Sequence, residues 1–243
     1  MSIDCAPPLT SLTSRRRLSR GSTLGTAILI RHARSTANAS NLLAGQTPGV
    51  RLDPHGIEQS KALVEILGPL PVDAVIVSPL ERCIDTISPW MHRYGANIPV
   101  HSEPRIIEPD YGLWSGRKLE ELAQEKLWES VQKQPESVHF PNGELFQAVW
   151  DRVASFMQSL QRQLHGEENV IVVSHGDIIK FMLAQSLKME FKDFQSIIIE
   201  PASISILNFD ENSYRLVQMN RSSNSISSMV RNKSKAQLGG ESR

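Results

Sequence analysis

The sequence predicts a three-layer α/β/α sandwich built around a mostly parallel, mixed central sheet. Three observations carry this prediction. Short apolar runs at 27–30, 74–77 and 170–173 have the length and composition of strands buried on both faces. Segments with helical apolar spacing lie between them, and such alternation is the pattern of a parallel sheet covered by helices. Residues 204–209 and 214–219, joined by Asp210-Glu211-Asn212, have the form of a hairpin and add an antiparallel edge.

Each element has a local reason. The first strand, 27–30, passes directly into Arg31 and His32. Asp53 and Pro54 start a helix, because a carboxylate caps free N–H groups and proline suits the first turn. Ile57, Leu63, Val64 and Leu67 recur along that helix until Gly68-Pro69 stops it. After the 74–77 strand, Ser78-Pro79 turns the chain into a helix with Leu80, Ile84 and Ile87 on one face, ending near Gly95. Val100 closes a third strand. The charged stretch 117–133 reads as a solvated helix and a candidate lid. From 144 to about 164, Leu145, Ala148, Val149, Val153, Phe156, Met157 and Leu160 form an apolar stripe. Gly166 ends it, the 170–173 strand follows, and 178–187 reads as a helix.

Composition narrows the function. The 26 basic and 26 acidic residues cancel, so no global field points to nucleic acid, and anion binding has to be local. Two cysteines, Cys5 and Cys83, make no disulfide framework and fit a reducing cytoplasm. No apolar run approaches the ~18 residues needed to span a membrane. Arg15, Arg16, Arg17 and Arg20 precede no apolar stretch of the kind a secretory signal has. Residues 1–25 are therefore expected to be a disordered extension, 26–220 one domain, and 221–243 a disordered tail. The sequence leaves the oligomeric state open. GxGxxG, Walker, GxSxG and zinc-ligand patterns are all missing from it.

Three strand ends bring polar groups: Arg31 and His32, the 78–82 turn, and Ser174 with His175. In a parallel sheet such ends share one rim. Two arginines and two histidines around one point make an electropositive cup for a tetrahedral dianion. Arginine supplies bidentate hydrogen bonds, and a protonated histidine supplies a further charged donor.

These segments resemble those of the histidine phosphatase superfamily, which holds the cofactor-dependent phosphoglycerate mutases and many small phosphatases. Its Arg-His-Gly stands here as Arg31-His32-Ala33, its Ser-Pro-Leu-x-Arg as Ser78-Pro79-Leu80-Glu81-Arg82, and its Ser-His-Gly as Ser174-His175-Gly176. The family's acidic residue ahead of aromatic-Gly-x-Trp-x-Gly matches 108–116, and Phe140-Pro141-Asn142-Gly143-Glu144 is similar to its turn before a long helix. The resemblance covers 27–219 and implies the phosphoglycerate mutase-like fold.

It also implies roles. His32 is the nucleophile, which must be neutral at the attacking nitrogen. Arg31, Arg82 and His175 clamp the phosphoryl oxygens, while Asn38 and Ser35 stand near the phosphate. Glu108 is the proton donor, with Asp177 its rival because it adjoins His175, and Asp110 a further one. No metal and no cofactor is implied. The partner is a small-molecule phosphate ester rather than nucleic acid or a membrane. Ala33 departs from the family's glycine; were φ positive there, its Cβ would cost ~1 kcal/mol or more.

The function so implied is a metal-independent phosphomonoesterase acting through phosphohistidine. One alternative is a phosphoglycerate mutase, although 126–131 lacks the neighbouring arginine pair that mutases use for a carboxylate. The other is a non-catalytic phosphate-binding regulator, suggested by Ala33 alone. His55, His92, His101, His139 and His165 are read as helix-end or loop residues without ligand spacing, and Trp114 as packing beneath the Glu108 loop. The 45–49 loop is expected to form a pocket wall.

Overall fold

In chain order the elements are β1 (Gly25–Arg31), α1 (Thr36–Ala39), α2 (Pro54–Leu67), β2 (Ala74–Val77), α3 (Glu81–Tyr94) and β3 (Val100–Ser102). There follow α4 (Leu119–Leu122), α5 (Lys126–Lys133), α6 (Phe146–Gln163), β4 (Asn169–Ser174), α7 (Gly176–Ser186), β5 (Ile204–Phe209) and β6 (Tyr214–Arg221). The computed structural model describes residues 25–164, 166–211 and 213–222. The expected extension and tail, Cys5 and His165 lie outside the described residues, apart from Gly25 in β1 and residues 221–222.

The six strands lie in the order β3-β2-β4-β1-β5-β6. The first four are mutually parallel, and β5 and β6 run antiparallel as the expected hairpin edge. Side chains alternate along β1: Ala27 and Leu29 join one core with Phe156 of α6 and Phe181 of α7, while Ile28 and Ile30 join another with Leu63 of α2 and Trp90 of α3. Helices thus cover both faces, each buried large apolar side chain contributing ~1.5–3 kcal/mol. Among the described residues no helix is long and apolar enough to cross a membrane.

Several local expectations need correction. Ile57 is 45% exposed, and the buried face of α2 instead begins at Gly56 and Ser60. Gly56 faces the Arg34 backbone so closely that a Cβ would run into its carbonyl, which presses α2 against the loop after His32. Leu145 is 43% exposed because it precedes α6 in extended conformation; Ala148 also faces solvent, and Phe146 takes the buried place. The 117–133 stretch is not one solvated helix. It splits into α4 and α5, and Leu119, Leu122 and Val131 turn inward to the core that holds Trp114. Val100 opens β3 rather than closing it, so His101 lies in a strand.

Candidate active site

The three inner parallel strands end at one rim because of their register. Arg31 of β1 is level with Ser174 of β4, and Val77 of β2 with Val173 of β4. His32, His175 and Ser78 therefore come next, fixed by the His32 N–H donating to Ser174 O (2.8 Å) and the Ser78 N–H donating to Val173 O (3.0 Å). A slip of one residue would turn each side chain to the opposite face.

His32 is buried, with Nδ1 2.8 Å from the carbonyl oxygen of Ala33. A carbonyl only accepts, so Nδ1 carries the proton and Nε2 keeps its lone pair. Burial, then the charges of Arg82 and Arg31, hold this imidazole well below the usual histidine range. The ring is therefore neutral and nucleophilic at Nε2. Ala33 has no positive φ, so its Cβ meets no backbone strain. Its N–H donates to Thr86 Oγ1 (2.8 Å), whose hydroxyl donates to Arg82 O (2.6 Å), tying the loop to α3. Ala33→Gly is expected to leave turnover within about twofold and to lower stability by ~1 kcal/mol. Phosphate release and urea unfolding check this; a large gain in turnover would show that the methyl group tilts His32.

Arg82, in the first turn of α3, is 1% exposed and donates from Nη2 to Gly45 O (2.8 Å). Its Nε and Nη1 have no hydrogen-bond partner among the described residues. Two buried guanidinium donors without a partner favour an anionic acceptor, since each costs ~1–3 kcal/mol when unpaired. Arg31 is fully buried, with Nη1 donating to Ile199 O (2.6 Å). Ser35 caps α1: its Oγ accepts from Asn38 N–H (3.1 Å), while Asn38 Oδ1 accepts from Ser35 N–H (2.9 Å) and Oγ–H (2.8 Å). Ser35 and Asn38, with His32, Leu43, Ala44, Gly45, Arg82, Glu108 and Tyr111, line a narrow cleft. Gly45 supplies the pocket wall expected of the 45–49 loop. Arg31 and His175 do not line the cleft. They stand beside it, the His175 ring centroid lying 5.2 Å from that of His32.

Glu108 and His175 form a buried pair, Nδ1 to Oε2 at 3.1 Å, and His175 Nε2 is 2.7 Å from Ser78 Oγ. Burial, then Arg82, His32 and Arg31, hold His175 well below the histidine range. It is a neutral ring here, where the sequence reading expects a protonated one. Burial, then the charge of Asp177, pushes Glu108 up to about 8 against the pull of Arg82 and Arg31. At neutral pH this carboxyl group therefore holds a proton. Asp177 does not reach the cleft. Its carboxylate accepts from Tyr111 Oη–H (2.8 Å) and from Lys180 Nζ (3.2 Å). Asp110 instead caps Gly112 N–H (2.9 Å).

The Glu108 backbone is strapped in place. Gln46 Nε2 donates to Glu108 O (2.9 Å), and Arg152 joins Arg105 O (2.6 Å) to Glu144, which also accepts from Asp110 N–H (2.8 Å). Gly112 has φ +53°, and a Cβ there would strike the 141–143 backbone, so glycine is required where the two turns meet. Trp114 is buried and donates from Nε1 to Glu125 Oε2 (2.9 Å), tying α5 to this floor.

Ligand atoms of His32, Glu108 and His175 lie within 4.8 Å of one another, close enough for three ligands of one metal ion. The surrounding charge does not fit that role. Arg31 and Arg82 depress both imidazoles, and the same positive potential repels a cation and attracts an anion. Sequence reasoning brought Ser78 to the rim without a role, and missed Tyr111, Thr86 and Lys180. Tyr111 follows Glu108 by three residues within the quoted motif. Lys180 had a signal too: a cation one helical turn after Asp177 in an otherwise apolar stretch.

Comparison with known proteins agrees with this geometry. The model of the histidine phosphatase superfamily (branch 1) matches residues 27–222. Phosphoserine phosphatase 1 of Hydrogenobacter thermophilus is 32% identical over 79% of this chain and 90% of its own length. A 2,3-bisphosphoglycerate-dependent phosphoglycerate mutase of Cytophaga hutchinsonii is 26% identical, over 75% and 86%. The crystal structure of the alpha-ribazole phosphatase from Shigella flexneri superposes with a TM-score of 0.71 at 28% identity, covering 81% of this chain and 96% of that one. With its strand-end histidines, its paired arginines and a match along almost the whole described chain, the protein belongs to the histidine phosphatase superfamily, branch 1.

Proposed function

We propose that the protein hydrolyses a small phosphorylated metabolite through a phosphohistidine on His32, without a metal ion. The observation that carries this reading is the neutral His32, its Nδ1 proton committed to Ala33 O, in the cleft that Arg82 also lines. The phosphoryl oxygens take the unpartnered donors of Arg82, with Asn38 and Ser35 at the wall, while Arg31 beside the cleft adds positive charge and His175, held between Glu108 and Ser78, orients the acid. His32 Nε2 bonds to phosphorus as the P–O bond to the alcohol breaks, and Glu108 gives its proton to the departing oxygen. Glu108, now a carboxylate, takes a proton from water. The water oxygen attacks phosphorus, the P–Nε2 bond breaks, and phosphate leaves with His32 restored.

Glu108 is favoured over Asp177 as the proton donor because it lines the cleft, whereas Asp177 lies behind Tyr111. A mutase reading is less favoured: the 126–131 segment carries Glu129, ion-paired with Lys133, and no neighbouring arginine pair for a carboxylate. The regulator reading loses its only support with the unstrained Ala33 backbone. Balanced charge and a buried free Cys83 support a cytoplasmic setting without nucleic-acid or membrane partners.

The test is phosphate release from a panel of phosphomonoesters, phosphoserine and alpha-ribazole phosphate included, with no divalent ion added. Glu108→Gln is expected to lower kcat by ~10²–10⁴-fold, the range for losing a general acid. Release only after a divalent ion is added would overturn the reading, as would full activity in Glu108→Gln.

A further inference from the structure

A buried polar chain runs away from the cleft into the core. Glu108 Oε1 lies 3.2 Å from Tyr111 Oη, which lies 2.8 Å from Asp177 Oδ2. Asp177 Oδ1 accepts from Lys180 Nζ (3.2 Å), and Lys180 also donates to Gln195 Oε1 (3.2 Å). Asp177 is wholly buried and Lys180 nearly so, both on α7, a helix buried along almost its whole length. A buried ion pair is not a reliable source of stability, since desolvating both charges offsets their attraction. The chemistry described above makes no use of Asp177 or Lys180.

We propose that Asp177 is a positioning residue for Glu108, acting through the Tyr111 hydroxyl to keep the acid loaded with its proton. The argument is one of hydrogen count. A phenol has a single proton, and the shorter contact commits it to the Asp177 carboxylate. Tyr111 Oη then offers Glu108 Oε1 a lone pair, which a carboxylic acid can use and a carboxylate cannot. The negative charge of Asp177 acts in the same direction. Asp177 lies in the first turn of α7 and pairs with Lys180, so positive charge stands beside it. The other groups facing Glu108 are Arg82, Arg31, His175 and His32; the two arginines favour the carboxylate, as the Tyr111 proton would if turned from Asp177 to Glu108, and set the opposing pull. Burial keeps the phenol far above the usual tyrosine range, so Tyr111 relays position and polarity without itself ionising.

This inference rests on the reading of Glu108 as the acid, and its test separates the two. The Glu108 carboxyl is titrated by infrared difference spectroscopy, its C=O band identified by its absence in Glu108→Gln. In Asp177→Asn that titration, and the alkaline limb of phosphohistidine formation with it, is expected to move about one pH unit or more toward acid. The double variant Asp177→Asn, Lys180→Met removes the buried pair as a unit and is expected to shift the same way, which covers the case in which the single variant fails to fold. A purely structural role would lower turnover at every pH without moving the limb. An unmoved Glu108 titration in a folded variant overturns the proposal even if phosphate is released. A shifted titration in a protein that hydrolyses no ester supports the positioning and counts against the phosphatase reading instead.

Discussion

His32→Ala is expected to abolish phosphate release, with a loss of about 10⁴-fold or more, because the imidazole nitrogen that bonds to phosphorus is gone. The imidazole is not a general contributor to a charged site. It supplies the atom that bonds to phosphorus, and its tautomer is set by a carbonyl one residue away. Removing it leaves Arg82 and Arg31 in place, so inorganic phosphate or vanadate should still bind while turnover is lost. The wild type, quenched in base during turnover of a labelled ester, should carry protein-bound phosphate, and His32→Ala should carry none. Residual turnover within tenfold of wild type would place the nucleophile elsewhere.

Arg82→Ala is expected to lower kcat/KM by about 10³-fold, two charge-assisted hydrogen bonds to transition-state oxygens being lost at roughly 2 kcal/mol each. A second effect has a definite sign. Arg82 helps to hold His32 well below the histidine range, and only neutral His32 attacks. Without that cation the imidazole is protonated more readily, so the acid limb of phosphohistidine formation should move to higher pH. Arg82→Lys separates the terms. It keeps the charge, so the limb should stay, but it lacks the planar fork, so kcat/KM should still fall. A limb that is unmoved in Arg82→Ala would show that burial alone sets the His32 protonation state.

The sheet and the phosphate-facing residues were legible for the same reason. A parallel strand buried on both faces reads as an unbroken apolar run, and its carboxyl end is marked by the first polar residue. Ile30 to Arg31, Val77 to Ser78 and Val173 to Ser174 are such junctions. Helix entry points were less legible. Leu145 is apolar, yet it sits before the first turn of α6 in extended backbone, and periodicity cannot tell a cap from a helical position. Residues 117–133 misled through composition: their charges suggested one solvated helix, while three apolar residues were enough to fold it into two short pieces over Trp114. Least legible was the support behind the acid. Tyr111, Asp177 and Lys180 meet only in three dimensions, and nothing in their separate neighbourhoods announces one hydrogen-bonded chain.

The rim register also bears on how such a protein diversifies. The groups that handle phosphorus hang from strands whose pairing cannot drift by one residue without inverting every side chain. Part of the cleft wall is made from other material: Leu43, Ala44 and Gly45, in the loop that follows α1. That wall is tied to the reaction centre at two points, Gly45 O accepting from Arg82 and Gln46 donating to Glu108 O, so change is tolerated only beyond them. Selectivity and chemistry therefore meet within one loop: substitution at the exposed Pro48 should alter substrate choice with the hydrolytic step intact, whereas exchange of Gly45 or Gln46 should disturb both.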